Sequence, residues 1–191
     1  MFNMVLTKTS ICEFGKKAVD FKLKSTQGNL VSLNDIRGEN GLLVMFICNH
    51  CPYVIATIKD IVKTSKELKD HKINTIAIMS NDPTEYPEDS FENMIKFSKN
   101  YDFDFPYVID ESQLVGKNYE AVCTPDFFGY NSNLELQYRG RIYELNNNVR
   151  PRVRLENSKN DLLESMIEIS KTGKGPSSQI PSMGCSIKWR K

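Results

Sequence analysis

The stretch FICNHCPYVIATIKDIVK, residues 46–63, carries two cysteines, Cys48 and Cys51, with two residues between them. It overlaps the apolar run LLVMFI (residues 42–47), whose length suits a strand that is buried on both faces. From Tyr53 onward apolar residues recur every three or four positions, with charged residues between them, which is typical of an amphipathic helix. The two cysteines therefore lie where a buried strand gives way to a helix.

This junction suits thiol chemistry, because a cysteine attacks as its thiolate and a helix N-terminus offers unpaired N–H groups and positive potential. We expect the helix to begin near Asn49 or His50, which predicts a lowered pKa for Cys48. Cys48 is then the nucleophile and Cys51 the buried resolving thiol. Asn49 and His50 are expected to tune the pair, since a histidine there can donate a hydrogen bond to the Cys48 thiolate. The alternative is that His50 only caps the helix or faces solvent.

The rest of the chain predicts an α/β protein. INTIAIM (residues 73–79) is a second buried strand, so that strand, helix and strand form a parallel βαβ unit. The polar stretch SNDPTEYPEDS (residues 80–90) is expected to be a solvated loop. Further elements are predicted on both sides of this unit: a hairpin over 20–33, helices over 91–101, 113–121 and 162–169, a strand over 105–110, and a hairpin over 126–140.

Composition and charge narrow the class of protein. With 191 residues, of which 40% are hydrophobic, the chain is expected to form one domain over 1–191. Lys plus Arg number 25 against 24 Asp plus Glu, a balance that indicates neither a nucleic-acid nor a membrane partner. The amino terminus lacks the apolar run of a secretory signal, no segment is long and apolar enough to span a bilayer, and five cysteines are a sparse, odd set. We therefore expect a cytoplasmic protein.

Several separate blocks resemble one protein family: AVDFKLKSTQGNLVSLNDIRGENGLLVMF, CNHCPYV, NDPTEYPEDS, FPYVIDESQ, CTPDFFGY and GCSIKW. From Phe14 to Trp189 the chain resembles the thioredoxin superfamily in its alkyl hydroperoxide reductase/thiol-specific antioxidant branch, and within it a peroxiredoxin-like bacterial group with a CxxC motif. The resemblance implies a thioredoxin-like three-layer α/β fold, a central mixed β-sheet flanked by helices with an N-terminal β-hairpin extension, and thiol redox chemistry without a dissociable cofactor. The fold is expected over about 14–172, with 173–191 as a linker and docked tail.

The segment Cys123-Thr124-Pro125 extends this interpretation. In thioredoxin-like folds a cis proline packs against the CxxC pair where a short helix gives way to a hairpin, which predicts that Thr124 and Pro125 are joined by a cis bond and shape a docking groove. The alternative is an ordinary trans proline at a strand start. Cys123 should then lie near the pair and is an additional redox candidate, unless it is only a small buried apolar residue. Cys185, in the GCSIKW block, is a second such candidate.

Two departures from the family pattern bear on activity. A peroxiredoxin places Pro, Thr or Ser, and Arg around its peroxidatic cysteine, whereas AVCTPDFFGYN (residues 121–131) contains no Arg. Arg139 and Arg141 lie farther on; they are alternative candidates for the peroxide-binding arginine, but we expect them at a solvated strand end. Thioredoxins carry a buried acid on the strand before the CxxC, where this chain offers only Met45. Proton transfer would then need water, His50 or another acid.

The sequence therefore predicts a thiol-disulfide oxidoreductase that acts through Cys48 and Cys51 on protein or small-molecule disulfides, with a thioredoxin- or glutathione-type reductant as its partner. The first alternative is a peroxiredoxin-like, antioxidant thiol peroxidase, in which peroxide oxidises Cys48 or Cys51. A structural zinc site, built from Cys48, His50, Cys51 and one distant cysteine, is a second alternative, and a non-catalytic adaptor is a third. We assign no metal to the site.

Overall fold

The computed structural model describes residues 6–146, 148–149 and 152–191. The strands are β1 (Leu6–Lys8), β2 (Lys22–Ser25), β3 (Leu30–Ser32), β4 (Gly41–Phe46), β5 (Ile73–Met79), β6 (Tyr107–Ile109), β7 (Cys123–Thr124), β8 (Asp126–Asn131), β9 (Leu136–Tyr138), β10 (Leu145–Asn146), β11 (Val153–Arg154) and β12 (Met183–Ser186). The helices are α1 (Leu33–Ile36), α2 (Pro52–Asp70), α3 (Phe91–Asn100), α4 (Leu114–Asn118) and α5 (Asp161–Thr172), with a 3-10 turn over Pro87–Asp89. No helix in these described ranges is both long and apolar enough to cross a membrane.

Seven strands form one mixed sheet in the order β3-β2-β6-β5-β4-β8-β9. β4 runs parallel to β5, and β5 to β6, which gives the predicted βαβ unit with α2 as its crossover helix. β8 is antiparallel to β4 on the other side. The hairpin of β2 and β3 forms one end of the sheet, where the sequence predicted it. A central mixed sheet flanked by helices confirms the predicted fold class.

The two faces of the sheet carry separate cores. Leu43 and Met45 of β4 belong to the core covered by α2 and α5, which we call the α2 face. Val44 and Phe46 belong to the core covered by α1 and α4, which we call the α1 face. This alternation is the period of two that a β-strand imposes on its side chains, and it explains why β4 is an unbroken apolar run.

The structure corrects the predicted start of the cysteine-bearing helix. Helix α2 begins at Pro52, with Cys51 as its N-cap, rather than at Asn49 or His50. The backbone N–H of Asn49 is engaged outside the helix, where it donates to Asp89 Oδ1 at 2.8 Å. Proline suits the first helical position, because its fixed φ matches the helix and its missing N–H has no partner there. Cys48 therefore lies three residues before the N-cap, in the loop that follows β4.

The predicted C-terminal tail contains a strand, β12. β12 lies between β1 and β7 in a separate three-stranded antiparallel sheet. In that register Cys185 is opposite Thr124. The end of the chain is thereby held against the strand that precedes Pro125.

Candidate active site

Both cysteines of the CxxC motif lie against β7 at the end of β4. Cys48 is 1% exposed and Cys51 0% exposed, and both belong to the α2 face. Cys48 Sγ is 3.3 Å from Thr124 Oγ1, and Cys51 Sγ is 3.1 Å from the Thr124 carbonyl oxygen. The Thr124–Pro125 bond is cis, which confirms that prediction. The strand that carries the cis proline thus contacts both sulfurs.

The structure also brings Cys185 to this pair. Its side chain is 3% exposed, and its Sγ lies 3.0 Å from Cys51 Sγ. The sequence analysis gave Cys185 as a redox candidate but could not predict where its sulfur lies, because 134 residues separate it from Cys51. The three sulfurs therefore form one buried cluster, with contacts from Cys51 to both of the others.

Cys123 has a different environment. It is fully buried, and its thiol points to the carbonyl oxygen of Pro125 at 3.6 Å. Because neighbouring side chains on a strand point to opposite faces, Cys123 points away from the side on which Thr124 meets Cys48. Burial raises the pKa of the Cys123 thiol, which disfavours its thiolate. These observations agree with the interpretation of Cys123 as a small buried apolar residue.

The loop after β5 is only partly the solvated segment that the sequence predicted, since Thr84, Glu85, Pro87 and Glu88 are exposed whereas its Asp89 is buried. Asp89 is 0% exposed, and its two carboxylate oxygens accept hydrogen bonds from Asn49 N and Asn81 Nδ2, both at 2.8 Å. The reason is topological: β4 and β5 are adjacent parallel strands, so the loops at their carboxyl ends meet at the same edge of the sheet. That topology was a signal that this loop meets the CxxC motif, although it does not distinguish Asp89 from the other acidic residues of the loop. Asp89 is thus a buried acid close to Cys48, and it comes from this loop rather than from β4.

Asn49 and His50 are both fixed by this loop. Asn49 Nδ2 donates to the Glu88 carbonyl oxygen at 2.9 Å, and its Oδ1 accepts from the Tyr107 hydroxyl at 3.0 Å. The His50 ring stacks on Tyr86, with centroids 5.0 Å apart and planes 10° apart. Its Nδ1 lies 2.7 Å from Asp89 Oδ2, with the side chain only 15% exposed. His50 therefore neither caps α2 nor faces open solvent.

Cys48, His50 and Asp89 form a compact group, since one polar atom of each lies within 4.8 Å of the others. The 2.7 Å between His50 and Asp89 is a hydrogen-bonding distance. It is shorter than the roughly 3.3 Å that separates two ligands of a tetrahedral zinc with bonds of about 2.0–2.1 Å. The arrangement matches a carboxylate–imidazole pair beside a thiol, and it differs from the zinc set considered from sequence, which included Cys51 and a distant cysteine.

The pKa of Cys48 shifts in the direction opposite to the one predicted. Burial, the neighbouring Cys51 sulfur and then the Asp89 carboxylate raise the pKa of Cys48 well above its usual value. The predicted lowering was wrong, because Cys48 is desolvated in the loop and lies outside the first turn of α2. Burial also opposes ionisation of Cys51, but hydrogen bonds from the thiols of Cys185 and Cys48 and from the Val54 N–H hold its pKa well below the usual value. The Thr124 carbonyl, in contrast, favours the protonated Cys51 thiol.

The charge state of His50 is set by two opposing causes. Burial by itself lowers its pKa, but the hydrogen bond and charge of Asp89 outweigh burial, so that the net shift is upward. The imidazole is thus protonated to a higher pH than in solvent.

The two arginines considered as peroxide ligands lie elsewhere. Arg139 is 3% exposed rather than solvated, and it pairs with Asp126 at 3.1 Å and stacks on the Phe128 ring. Phe128 belongs to the α1 face, whereas both cysteines of the motif belong to the α2 face. Arg141 is half-buried and pairs with Asp161 at 2.8 Å. Neither residue takes the place of the arginine that polarises peroxide in a peroxiredoxin.

A cavity of about 270 Å³ adjoins the cis proline on the α2 face. Pro125 lines it together with Tyr53 of α2 and Phe127 of β8. Tyr143 and Arg141 are also among the residues that line it. A cavity with aromatic and charged side chains in its lining therefore borders Pro125, the residue after Thr124, and its use as a docking groove stays a prediction.

Known proteins resemble this chain in sequence and in fold. Residues 14–144, more than half of the chain, match the AhpC/TSA family. The crystal structure of an uncharacterized conserved protein from Geobacillus kaustophilus is 34% identical, with a TM-score of 0.90 and coverage of 99% of this chain and 98% of that one. A hypothetical protein from Sinorhizobium meliloti 1021 is 35% identical, with a TM-score of 0.84 and coverage of 96% and 97%.

Among curated proteins, the thiol-disulfide oxidoreductase ResA from Halalkalibacterium halodurans is 26% identical over 102 residues. The match covers 53% of this chain and 53% of that protein, so the chain spans about half the length of the curated relative that it matches. These similarities are consistent with an oxidoreductase. The chain belongs to the AhpC/TSA family, the branch of the thioredoxin superfamily that its sequence blocks resemble.

Proposed function

We propose that this protein is a thiol-disulfide oxidoreductase in which Cys48 and Cys51 exchange with the disulfide of a protein or small molecule. The observation that carries the proposal is the placement of both sulfurs against Thr124, directly before the cis proline and beside the cavity of the α2 face. The similarity to a curated thiol-disulfide oxidoreductase supports the class of reaction.

In the first step the Cys48 sulfur attacks one sulfur of the substrate disulfide. A Cys48–substrate disulfide forms, the substrate S–S bond breaks, and the second substrate sulfur leaves as a thiolate that takes a proton. Since Cys48 and Cys51 are almost fully buried, a bulky substrate must displace part of the surrounding chain to reach Cys48. The cavity lined by Pro125 is the side from which we expect this approach, because it adjoins β7 and the sulfurs lie against that strand.

Cys48 must lose its proton to attack, and its raised pKa makes this the demanding step. The carboxylate–imidazole pair of Asp89 and His50 lies within reach of its sulfur. A protonated His50 stabilises the developing Cys48 thiolate by charge, and a neutral His50 can accept the Cys48 proton. Asp89 holds the ring in place and is therefore a positioning residue, as Ser/Cys–His–carboxylate arrangements generally require.

In the second step the Cys51 thiolate attacks the Cys48 sulfur. A Cys48–Cys51 disulfide forms, the substrate's remaining sulfur leaves, and two electrons have passed from the protein to the substrate. The lowered pKa of Cys51 supports this assignment, because a resolving thiol acts as its anion. A thioredoxin- or glutathione-type thiol would return the pair to its reduced state, and exchange in the opposite direction uses the same atoms.

Turnover of insulin disulfides with dithiothreitol as reductant tests the proposal. We expect Cys48→Ser and Cys51→Ser each to lose more than about 100-fold of the rate, because exchange needs both sulfurs. Cys51→Ser should accumulate a mixed disulfide with insulin on non-reducing gels, whereas Cys48→Ser should not. The matched control is Cys12→Ser, since Cys12 packs on the α1 face and is partly exposed.

The same variants distinguish this reaction from a thiol peroxidase and from a zinc site. Rapid trapping of a sulfenic acid by dimedone after hydrogen peroxide, with no insulin turnover, would overturn the proposal in favour of a thiol peroxidase. Accumulation of the mixed disulfide in Cys48→Ser instead of Cys51→Ser would reverse the two roles. One equivalent of zinc in protein purified without chelators would overturn the redox assignment altogether.

A further inference from the structure

The C-terminal strand β12 carries a third thiol, that of Cys185, which lies beside the CxxC pair. β12 pairs with β7 so that Cys185 faces Thr124, the residue that contacts both sulfurs of the motif. Cys185 Sγ and Cys51 Sγ are 3.0 Å apart, so a shift of about 1 Å brings them to the roughly 2.05 Å of a disulfide bond. Cys51 therefore has two thiol neighbours, one within the motif and one on the C-terminal strand.

Several contacts fix this strand in place. Ser182 Oγ donates to the Pro125 carbonyl oxygen at 2.8 Å, and Lys188 N donates to Asn81 Oδ1 at 2.9 Å. A Cβ atom on Gly184 would lie 2.0 Å from the Thr124 carbonyl oxygen, so only glycine permits this closeness of β12 to β7. Contacts on both sides of Cys185 thus determine where its sulfur lies.

Building on the proposed function, we propose that Cys185 is a third redox cysteine, which accepts the disulfide from the Cys48–Cys51 pair. The Cys185 sulfur attacks Cys51 of the oxidised pair, a Cys51–Cys185 bond forms, the Cys48–Cys51 bond breaks, and Cys48 leaves as a thiolate. The Cys185 proton passes to Cys48, so that thiols and disulfides balance without any external oxidant or reductant. The oxidised protein then carries its disulfide at Cys51–Cys185 and regains a thiol at Cys48.

The ionisation of Cys185 depends on whether Cys51 is a thiolate or part of a disulfide. In the reduced protein the Cys51 thiolate, followed by burial, raises the pKa of Cys185 and keeps it protonated. Once Cys51 is part of a disulfide it no longer carries negative charge, so the largest of these causes disappears. Cys185 therefore ionises more readily when there is a disulfide for it to attack. Exchange through Cys51 also covalently ties β12 to the start of α2 while Cys48 becomes available again.

Peptide mapping of the full chain tests this inference. Trypsin releases residues 38–59, with both Cys48 and Cys51, and residues 175–188, with Cys185. After oxidation by glutathione disulfide, acid quench and alkylation with N-ethylmaleimide, we expect two products in the wild type: an internally bonded 38–59 peptide and a 38–59/175–188 cross-link. The cross-link should be the main product of Cys48→Ser treated with diamide, with a loss of two of the four cysteine thiols left to that variant.

The double variants Cys48→Ser/Cys185→Ala and Cys48→Ser/Cys12→Ser provide the comparison. The first should retain all its thiols after diamide and the second should form the cross-link as fully as Cys48→Ser. The wild-type experiment needs no substitution, so a folding defect in a variant cannot hide the answer. If the internally bonded 38–59 peptide forms without any cross-link, the inference fails while the proposed function stands. If the cross-link forms but insulin is not reduced, the proposed function fails instead.

Discussion

The two sides of the CxxC pair are built from different chemistry. Cys48 faces the loop after β5, where Asp89 and His50 lie. Cys51 faces the first N–H groups of α2 and the thiol of Cys185. On the first side burial and a carboxylate raise the pKa of Cys48, and on the second side hydrogen-bond donors lower that of Cys51.

This difference shows that the position of a cysteine in a motif does not fix its ionisation. The two side chains are chemically identical and lie three residues apart in the chain. Their neighbours come from segments distant in sequence, and these neighbours decide which sulfur is the better anion. Substitutions on each side of the pair should therefore act selectively.

Removing the carboxylate has the largest expected effect. Asp89→Ala leaves the buried Asn49 N–H and the Asn81 side-chain amide without their acceptor, at a cost of about 3 kcal/mol in the free energy of unfolding. The pKa of Cys48 should fall, because one of the causes that raise it is gone. Urea unfolding and the pH dependence of iodoacetamide labelling measure the two effects. The control Asp89→Asn keeps an acceptor for Asn49 and should cost less than half as much.

An unchanged Cys48 pKa in both Asp89 variants would show that burial and the neighbouring Cys51 sulfur set its ionisation without a contribution from Asp89. The contrast between the two sides of the pair would then rest on the hydrogen-bond donors to Cys51. The loop after β5 would have only a structural role.

Displacing the C-terminal strand tests the other side. Gly184→Ala pushes β12 away from β7, because the added Cβ meets a backbone oxygen that no rotamer change can move. We expect a loss of about 1–3 kcal/mol in unfolding free energy, and a rise in the pKa of Cys51 as Cys185 withdraws its hydrogen bond. Thermal unfolding and thiolate absorbance in the far ultraviolet against pH are the measurements. Ser177→Ala, at an exposed site in the same tail, should change neither.

The smallest effect concerns pH. Burial lowers the folded-state pKa of His50, but Asp89 outweighs burial and raises this pKa above the 6.5 of the unfolded chain. The charged pair therefore contributes stability that is fully present below pH 6.5 and is lost as the pH rises through the raised value. We expect His50→Gln to be less stable than the wild type by about 1 kcal/mol in mildly acidic buffer, with the difference shrinking at alkaline pH. A difference that stays constant from mildly acidic to alkaline pH would contradict the ion pair.

Much of the fold could be predicted because local patterns are strong there. The apolar run of β4 and the three-to-four-residue spacing of α2 each reflect a periodicity that burial imposes directly on the sequence. Both features depend on neighbours within a few residues, which the sequence displays. The cis bond before Pro125 was instead predicted from the place that thioredoxin-like folds give a cis proline, and it is present.

The site was predicted less completely. The start of α2 was placed too early, since nothing local indicates that the Asn49 N–H is bonded to Asp89. That error carried over to Cys48, whose pKa was predicted to shift in the wrong direction. Arg139 was expected in solvent, yet its side chain is buried and pairs with Asp126.

The sequence by itself determined that a CxxC pair follows a buried strand and precedes an amphipathic helix, because period and composition encode both elements. Only the tertiary structure decided which partners the two sulfurs have. Asp89 reaches Cys48 because parallel strands bring their loops to one edge, and Cys185 reaches Cys51 because β12 pairs with β7. Ionisation depends on charges and donors within a few ångströms, and those distances exist only once segments far apart in the chain have packed together.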